Sequence, residues 1–125
     1  MVPLTENVFV YGTLLRGNIN EGLLKEGRLV GRGIVHGLAL FDVNPSYPGA
    51  VKAFGKKVRG EVFAVDAAML AKLDRLEHNG LLYRREIMPV LLEGSGKKVE
   101  AWVYLWLGEV DPQGEVPLHR QPWQG

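Results

Sequence analysis

The stretch that organises this chain is DAAMLAKLDRLEHNGLLYRR, which runs from Asp66 to Arg85. Its apolar residues recur at intervals of three or four positions, at Met69, Leu70, Leu73 and Leu76. This spacing predicts an amphipathic helix that packs one face on a core. Asp66 directly precedes the run and is a candidate N-cap residue.

Glu77 is the next residue on the predicted apolar stripe, four positions after Leu73 and seven after Leu70. A helix that continues this far would aim the Glu77 carboxylate inward at the C-terminal end of the helix. Burial and the helix dipole both disfavour negative charge there, so both would raise its pKa. A carboxylate tuned in this way suits general acid–base chemistry near neutral pH.

A structural alternative exists for Glu77. If the helix ends one turn earlier, Glu77 would cap a loop or pair with Arg84 or Arg85. On this stretch alone, the structural interpretation is the favoured one.

The composition is that of an ordinary soluble domain. The chain has 125 residues, 46% of them hydrophobic, and 15 basic residues against 14 acidic ones, so nothing in it favours nucleic acid or an anionic membrane as a partner. It contains no cysteine, which excludes disulfides, thiolate metal sites and cysteine nucleophiles. The N-terminus does not resemble a signal peptide and no apolar run would span a bilayer. A cytoplasmic protein is the expectation.

Strand patterns dominate the rest of the chain. A short buried strand is predicted at 7–11, a glycine-interrupted strand at 28–43, a short strand at 50–54, an alternating strand at 57–65 and a final pair at 83–92 and 98–107. Asn20 could cap a short helix that Gly27 ends. Residues 108–125 read as an irregular tail, wrapped on the surface or disordered. Together these elements favour an α+β fold, in which a small barrel or strongly coiled mixed sheet packs against flanking helices.

A second informative stretch is Tyr11-Gly12-Thr13-Leu14, where the first strand ends at a glycine. Consecutive N–H groups in such a turn can form a nest for an anion, and the glycine lets a ligand approach the backbone. An ordinary turn after a strand is an equally good interpretation. The spacing from Gly12 to Gly17 lacks the lysine of a phosphate loop.

Other chemistry is poorly supported. The three histidines are scattered without metal-ligand spacing, so no metal and no cofactor are expected. Ser46 and Ser95 lie in predicted turns outside any nucleophile-elbow pattern. If the protein is an enzyme, proton transfer by Glu77 without a covalent intermediate fits best. Tyr83 follows the loop after Glu77, and its hydroxyl would need a partner if buried.

The order of these motifs resembles the gamma-glutamylcyclotransferase-like family, including gamma-glutamylamine cyclotransferases. The resemblance is carried by Tyr11-Gly12-Thr13-Leu14 and by Leu73-Asp74-Arg75-Leu76-Glu77 followed by Tyr83-Arg84-Arg85. It covers roughly residues 7 to 107, so residues 1–107 are interpreted as the domain and 108–125 as its tail. The loop His78-Asn79-Gly80-Leu81-Leu82 departs from the family, whose members often have a glycine and a proline soon after the glutamate.

The resemblance implies a small barrel-like mixed sheet with flanking helices. It also implies a cavity in which the backbone of residues 11–14 holds the carboxylate of a γ-glutamyl substrate, with Tyr83 nearby and Glu77 as general acid–base. Ring closure would release 5-oxoproline. A non-catalytic binding domain of the same fold, or a hydrolase in which Glu77 activates water, remain as alternatives. The sequence specifies neither the leaving amine nor an oligomeric state.

Overall fold

The structure, a computed structural model, describes residues 3–12, 27–44 and 47–123. The predicted helix between Asn20 and Gly27 lies outside these residues, as do Thr13 and Leu14. The strands are β1 (Glu6–Val10), β2 (Arg28–Asn44), β3 (Tyr47–Val65), β4 (Tyr83–Leu92), β5 (Lys98–Trp106) and β6 (Glu115–Val116), and the helix α1 spans Ala67–Leu76.

Five of these strands close into a barrel. β1 pairs antiparallel with β3 and parallel with β5, β5 pairs antiparallel with β4, and β2 pairs with both β4 and β3. β6 adds two residues to β2 beyond this ring. The expectation of a small mixed-sheet barrel with a packed helix is therefore confirmed.

β1 is buried on both faces, as its sequence predicts. Phe9 joins the cluster of side chains from all five barrel strands, whereas Val8 and Val10 join the cluster beneath α1. Because successive strand residues point to opposite faces, one five-residue strand contributes to both cores. The end of β1 consequently lies between the barrel and the helix.

β3 is one continuous strand of 19 residues, so the prediction of two separate strands at 50–54 and 57–65 is wrong. The long β2 pairs with β3 on both sides of residues 53–56. The register of this pairing shifts between His36, opposite Lys57, and Leu38, opposite Lys52. The expectation that the glycines of β2 mark bends is supported by a further shift between Leu29 and Gly31. Gly60 of β3 must lack a side chain, because a Cβ there would collide with the Val10 carbonyl oxygen.

The C-terminal segment is more ordered than its sequence indicates. Besides β6 it forms two 3₁₀ turns, at Pro112–Gly114 and Leu118–Arg120. Trp123 is only 6% exposed and packs in the barrel core, and its indole N–H donates to Asp42 at 2.7 Å. Buried Gln121 accepts a hydrogen bond from the Arg59 backbone at 2.8 Å. The segment thus contributes to the core, because aromatic burial outweighs its turn-rich composition.

Helix α1 begins as predicted, with the Asp66 side chain accepting from the Met69 N–H at 2.7 Å. Met69, Leu70 and Leu73 are buried, whereas Leu76 is 36% exposed, so the apolar stripe is one residue shorter than predicted. No helix among the described residues is long and apolar enough to cross a bilayer.

Candidate active site

A cleft lies where the end of β1, the start of β3 and the C-terminal end of α1 meet. It contains about 350 Å³ of space, the open solvent at its mouth included. Four of the six sequence-predicted site residues line it, namely Tyr11, Gly12, Glu77 and Tyr83. The rest of the described lining is formed by Phe9, Val10, Tyr47, Pro48 and Tyr104.

Glu77 is the C-cap residue of α1, and its half-buried side chain faces this cleft. Burial raises its pKa from the usual 4.5 to about 7. Neither nearby arginine neutralises it: Arg84 pairs with Glu86 and Arg85 pairs with Asp74, each at 2.8 Å. Among the described residues, none donates a hydrogen bond to the Glu77 carboxylate. Of the two interpretations of Glu77, the cleft-facing carboxylate is therefore the one seen.

Tyr11 lines the cleft, and its side chain is packed in the barrel core. Its buried hydroxyl donates to the Tyr104 carbonyl oxygen at 2.5 Å and accepts from the Ala50 N–H at 3.2 Å. These bonds tie β1 to β3 and β5 directly beneath the turn that was predicted to bind an anion.

Gly12 lies at the cleft wall against Pro48. A Cβ on Gly12 would lie 2.9 Å from the Pro48 ring, so only glycine fits without movement of that wall. The other two residues of the predicted anion turn, Thr13 and Leu14, lie outside the described residues.

Tyr83 is buried at the start of β4, and its hydroxyl has the partner that the sequence required. It donates to the Pro48 carbonyl oxygen at 2.7 Å, and its ring meets Trp106 edge-on with centroids 5.3 Å apart. Burial, with a further contribution from Glu77, raises the Tyr83 pKa above its usual value, so the hydroxyl stays neutral. Tyr83 thus holds Pro48, which also lines the cleft, in place.

Sequence reasoning missed a cluster one turn before Glu77. Asp74 accepts from the Tyr104 hydroxyl at 2.6 Å and from Arg85 Nε at 2.8 Å. The Arg85 guanidinium in turn stacks 4.1 Å above the Trp102 ring. The adjacency of polar Asp74 to the apolar stripe was the only signal, and its partners are 11 and 30 residues away.

Apart from Glu77, the ionisable or hydroxyl-bearing side chains in the described lining of the cleft are all tyrosines. Its described lining includes no serine, threonine, histidine or lysine. Ser95 lies in the β4–β5 turn, where it accepts from the Lys97 N–H, and Ser46 lies outside the described residues. Within the described parts of the chain, no group of three or more histidines and carboxylates is arranged to hold a metal ion.

Comparison with known proteins agrees with this architecture. Residues 8–125 match the family model described as gamma-glutamyl cyclotransferase, AIG2-like. The chain belongs to this family. The match also extends through the C-terminal segment, beyond the part that the sequence motifs cover.

Relatives of the family are found in bacteria and animals. The chain is 35% identical over 104 residues to the gamma-glutamylcyclotransferase family protein YtfP of Escherichia coli, with 83% of this chain and 85% of YtfP covered. It is 32% identical over 136 residues to a Bos taurus protein named gamma-glutamylaminecyclotransferase, with 92% and 81% covered. The crystal structure of a mouse AIG2-like protein superposes with a TM-score of 0.76 at 28% identity, covering 87% and 81% of the two chains. These names support a cyclotransferase-type enzyme.

Proposed function

We propose that this protein is a gamma-glutamyl cyclotransferase that releases 5-oxoproline from a γ-glutamyl amide, with Glu77 as general acid–base. The observation that carries the proposal is the Glu77 carboxylate itself. It faces a cleft at the end of β1, has no hydrogen-bond donor among the described residues, and has a pKa raised to about 7 by burial. Such a group can accept and return a proton near neutral pH.

The substrate carries its own nucleophile. The backbone at Tyr11 and Gly12, together with Thr13 and Leu14, would hold the substrate carboxylate, and the cleft would fold the γ-glutamyl chain so that its α-amine meets the γ-carbonyl. Fixing two reacting groups in attack geometry can contribute on the order of 7 kcal/mol or more. No covalent enzyme intermediate is required, in keeping with a sequence that has no cysteine and with a lining that, among the described residues, includes no serine.

The bond changes balance without any co-reactant. The α-amine nitrogen forms a bond to the γ-carbonyl carbon, and Glu77 takes the proton that this nitrogen loses. The bond from the γ-carbon to the leaving nitrogen then breaks, and Glu77 returns the proton to the leaving amine. The products are 5-oxoproline and the free amine.

The charges around the site favour an uncharged leaving group. Among the described residues, three cations that could bind a second substrate carboxylate are paired with acidic side chains: Lys52 and Arg84 pair with Glu86 at 2.9 and 2.8 Å, and Arg85 pairs with Asp74. In the loop that follows Glu77, Leu81 is 79% exposed and offers apolar contact instead. Simple γ-glutamylamines are therefore the favoured substrates over glutathione or γ-glutamyl dipeptides.

A product assay tests the proposal directly. The protein is incubated with a panel of γ-glutamylamines, γ-glutamyl dipeptides and glutathione, and the products are resolved by mass spectrometry. 5-Oxoproline with an equimolar amine is the expected result. Free glutamate would instead identify a hydrolase, and no product with measurable binding would identify a binding domain; either would overturn the proposal.

A further inference from the structure

Three tyrosines interact electrostatically with Glu77, namely Tyr11, Tyr83 and Tyr104, and each hydroxyl donates its hydrogen to a protein acceptor. Tyr83 donates to the Pro48 carbonyl oxygen and Tyr104 donates to Asp74. Both side chains line the cleft and interact electrostatically with Glu77. A tyrosine hydroxyl has one hydrogen to donate, so each oxygen can only accept a hydrogen bond from a molecule in the cleft.

The direction of the Tyr104 hydroxyl is fixed by charge. Asp74 is held by the Arg85 guanidinium at 2.8 Å, and an ionised carboxylate can only accept hydrogen bonds. The Tyr104 hydroxyl must therefore donate to Asp74 and cannot turn its hydrogen toward Glu77. Stacking on Trp102 holds Arg85 in turn. The inner end of the cleft thus presents a carboxylate and two hydroxyl oxygens, all acceptors.

We propose that Asp74 is a positioning residue that, through Tyr104, makes this end of the cleft a receptor for the substrate's α-amino group in its ammonium form. The inference rests on the proposed function for the identity of the ligand. The Glu77 carboxylate and the hydroxyl oxygens of Tyr83 and Tyr104 line one cleft, and together they offer enough acceptors for the three hydrogens of a primary ammonium. Once bound, the ammonium lies beside Glu77, which can take its first proton and so give the neutral amine that attacks. The nitrogen loses a second proton as the ring closes, and the two protons end on the departing nitrogen, which leaves as an ammonium.

The arrangement also separates two roles that look alike in the sequence. Asp74 and Glu77 lie three residues apart on the same helix. Asp74 has two partners and stays clear of the chemistry, whereas Glu77 is left open to the ligand. Asp74 acts only through Tyr104 and does not line the cleft itself.

Binding of two matched dicarboxylates tests the inference. L-Glutamate and glutarate have the same chain length and differ in the α-ammonium, and neither can lose an amine by cyclisation. In NMR titrations at pH 8 the wild-type protein is expected to bind L-glutamate at least tenfold more tightly than glutarate. Tyr104→Phe and Asp74→Asn should each reduce that ratio by roughly tenfold, the size expected for one charge-assisted hydrogen bond.

Asp66→Ala is the matched control. It weakens the same helix from its other end but leaves the acceptor cluster untouched, so the ratio of the two dissociation constants should not change. Tyr104→Phe keeps the ring and removes only the hydroxyl, so it decides the question if Asp74→Asn fails to fold. A wild-type ratio near one, no binding of either compound, or an unchanged ratio in Tyr104→Phe would overturn the inference.

The outcome is separable from that of the product assay. A protein that forms no 5-oxoproline but loses its preference for L-glutamate in both variants would contradict the proposed reaction and support the ammonium site. A protein that forms 5-oxoproline while Tyr104→Phe keeps the full preference would support the reaction and contradict this role of Asp74 and Tyr104.

Discussion

The two ends of helix α1 each carry a carboxylate, and the surroundings of the two carboxylates have opposite effects on their negative charge. At the start, Asp66 accepts a hydrogen bond from the Met69 N–H, where the helix dipole also favours negative charge. At the end, Glu77 has no donor among the described residues, and burial raises its pKa to about 7. The dipole is unfavourable for negative charge at this end as well. Asp66 therefore stabilises the helix, whereas Glu77 is held in a costly state that is useful for proton transfer.

The largest expected effect on activity comes from substitution of Glu77, at the C-terminal end of α1. Glu77→Gln keeps the size of the side chain but cannot exchange protons, so kcat should fall by about 100- to 10,000-fold. The measurement is the rate of 5-oxoproline formation on the best γ-glutamyl substrate, with circular dichroism to verify the fold. Asp66→Asn is the matched amide substitution at the other end and should keep kcat near the wild-type value.

The contrast between Asp66 and Glu77 would be contradicted if Glu77→Gln and Asp66→Asn changed kcat by the same factor. Near wild-type activity in a folded Glu77→Gln protein would show that Glu77 is structural. An equal loss in Asp66→Asn would show that helix integrity, rather than the carboxylate, limits the rate.

Much of this arrangement could be predicted from the sequence. The three-and-four spacing locates α1, the Asp66 position locates its start, and four residues from Leu73 to Glu77 place the carboxylate on the inward side. These are local rules, in which the deciding residues lie within two helical turns.

The rest depends on contacts that local rules do not reach. Asp74 meets Tyr104 across 30 residues, and Tyr83 meets Pro48 across 35. The first pairing depends on how α1 packs on the barrel and the second on how β4 and the start of β3 meet, and sequence periodicity specifies neither. The buried position of Trp123 similarly follows from where the chain returns to the barrel, and the turn-rich composition around it indicated a surface tail.

The cost of holding Glu77 in the cleft should appear in stability. Its pKa is about 7 in the folded protein and near 4.5 when unfolded, so the folded state binds the proton more tightly. The stabilising effect is complete below about pH 4.5 and is lost as the pH rises to about 7. At about 1.4 kcal/mol per pKa unit, the wild-type protein should lose up to about 3 kcal/mol relative to Glu77→Gln over this window.

Urea unfolding of the two proteins between pH 4.5 and pH 8 measures this difference, because all other groups titrate alike in both. Asp66→Asn provides the contrast, since its difference from wild type should not grow as the pH rises from 4.5 to 7. A constant gap between Glu77→Gln and the wild-type protein would contradict a raised Glu77 pKa.

The same pKa sets the expected pH dependence of the reaction. Glu77 must be ionised to accept the proton of the α-amine, so kcat/KM should fall about tenfold per pH unit below about 7 and level off above it. Initial rates from pH 5 to pH 8 test this. An acid limb with its midpoint near pH 4.5 would mean that the cleft does not desolvate the carboxylate during catalysis, and Asp66→Asn should leave the midpoint unchanged.

The loop that leaves the C-terminal end of α1 is expected to set the preference for the leaving amine. Leu81 and Leu82 are exposed there, and in the part of the chain that the structure describes Lys52 and Arg85 are paired with carboxylates. Each methylene added to an alkyl γ-glutamylamine should change kcat/KM by a factor of roughly ten to 200 where it enters an apolar contact. Leu81→Ser should reduce the change in kcat/KM that each added methylene produces. A clear preference for γ-glutamyl amino acids over matched γ-glutamylamines would contradict the assignment.

The smallest effect is expected from substitution of Asp66, the N-cap residue of α1. Asp66→Ala removes the N-cap bond and should lower the free energy of unfolding by about 1 kcal/mol, with kcat and the pH midpoint unchanged. The two ends are separated by ten helical residues, or about 15 Å, so the two changes should act independently. Urea unfolding of Asp66→Ala/Glu77→Gln at pH 8 should therefore give the sum of the single effects to within about 0.5 kcal/mol. A larger departure would show that the N-cap and the cleft are coupled through α1, so that the cost of holding Glu77 is shared by the whole helix.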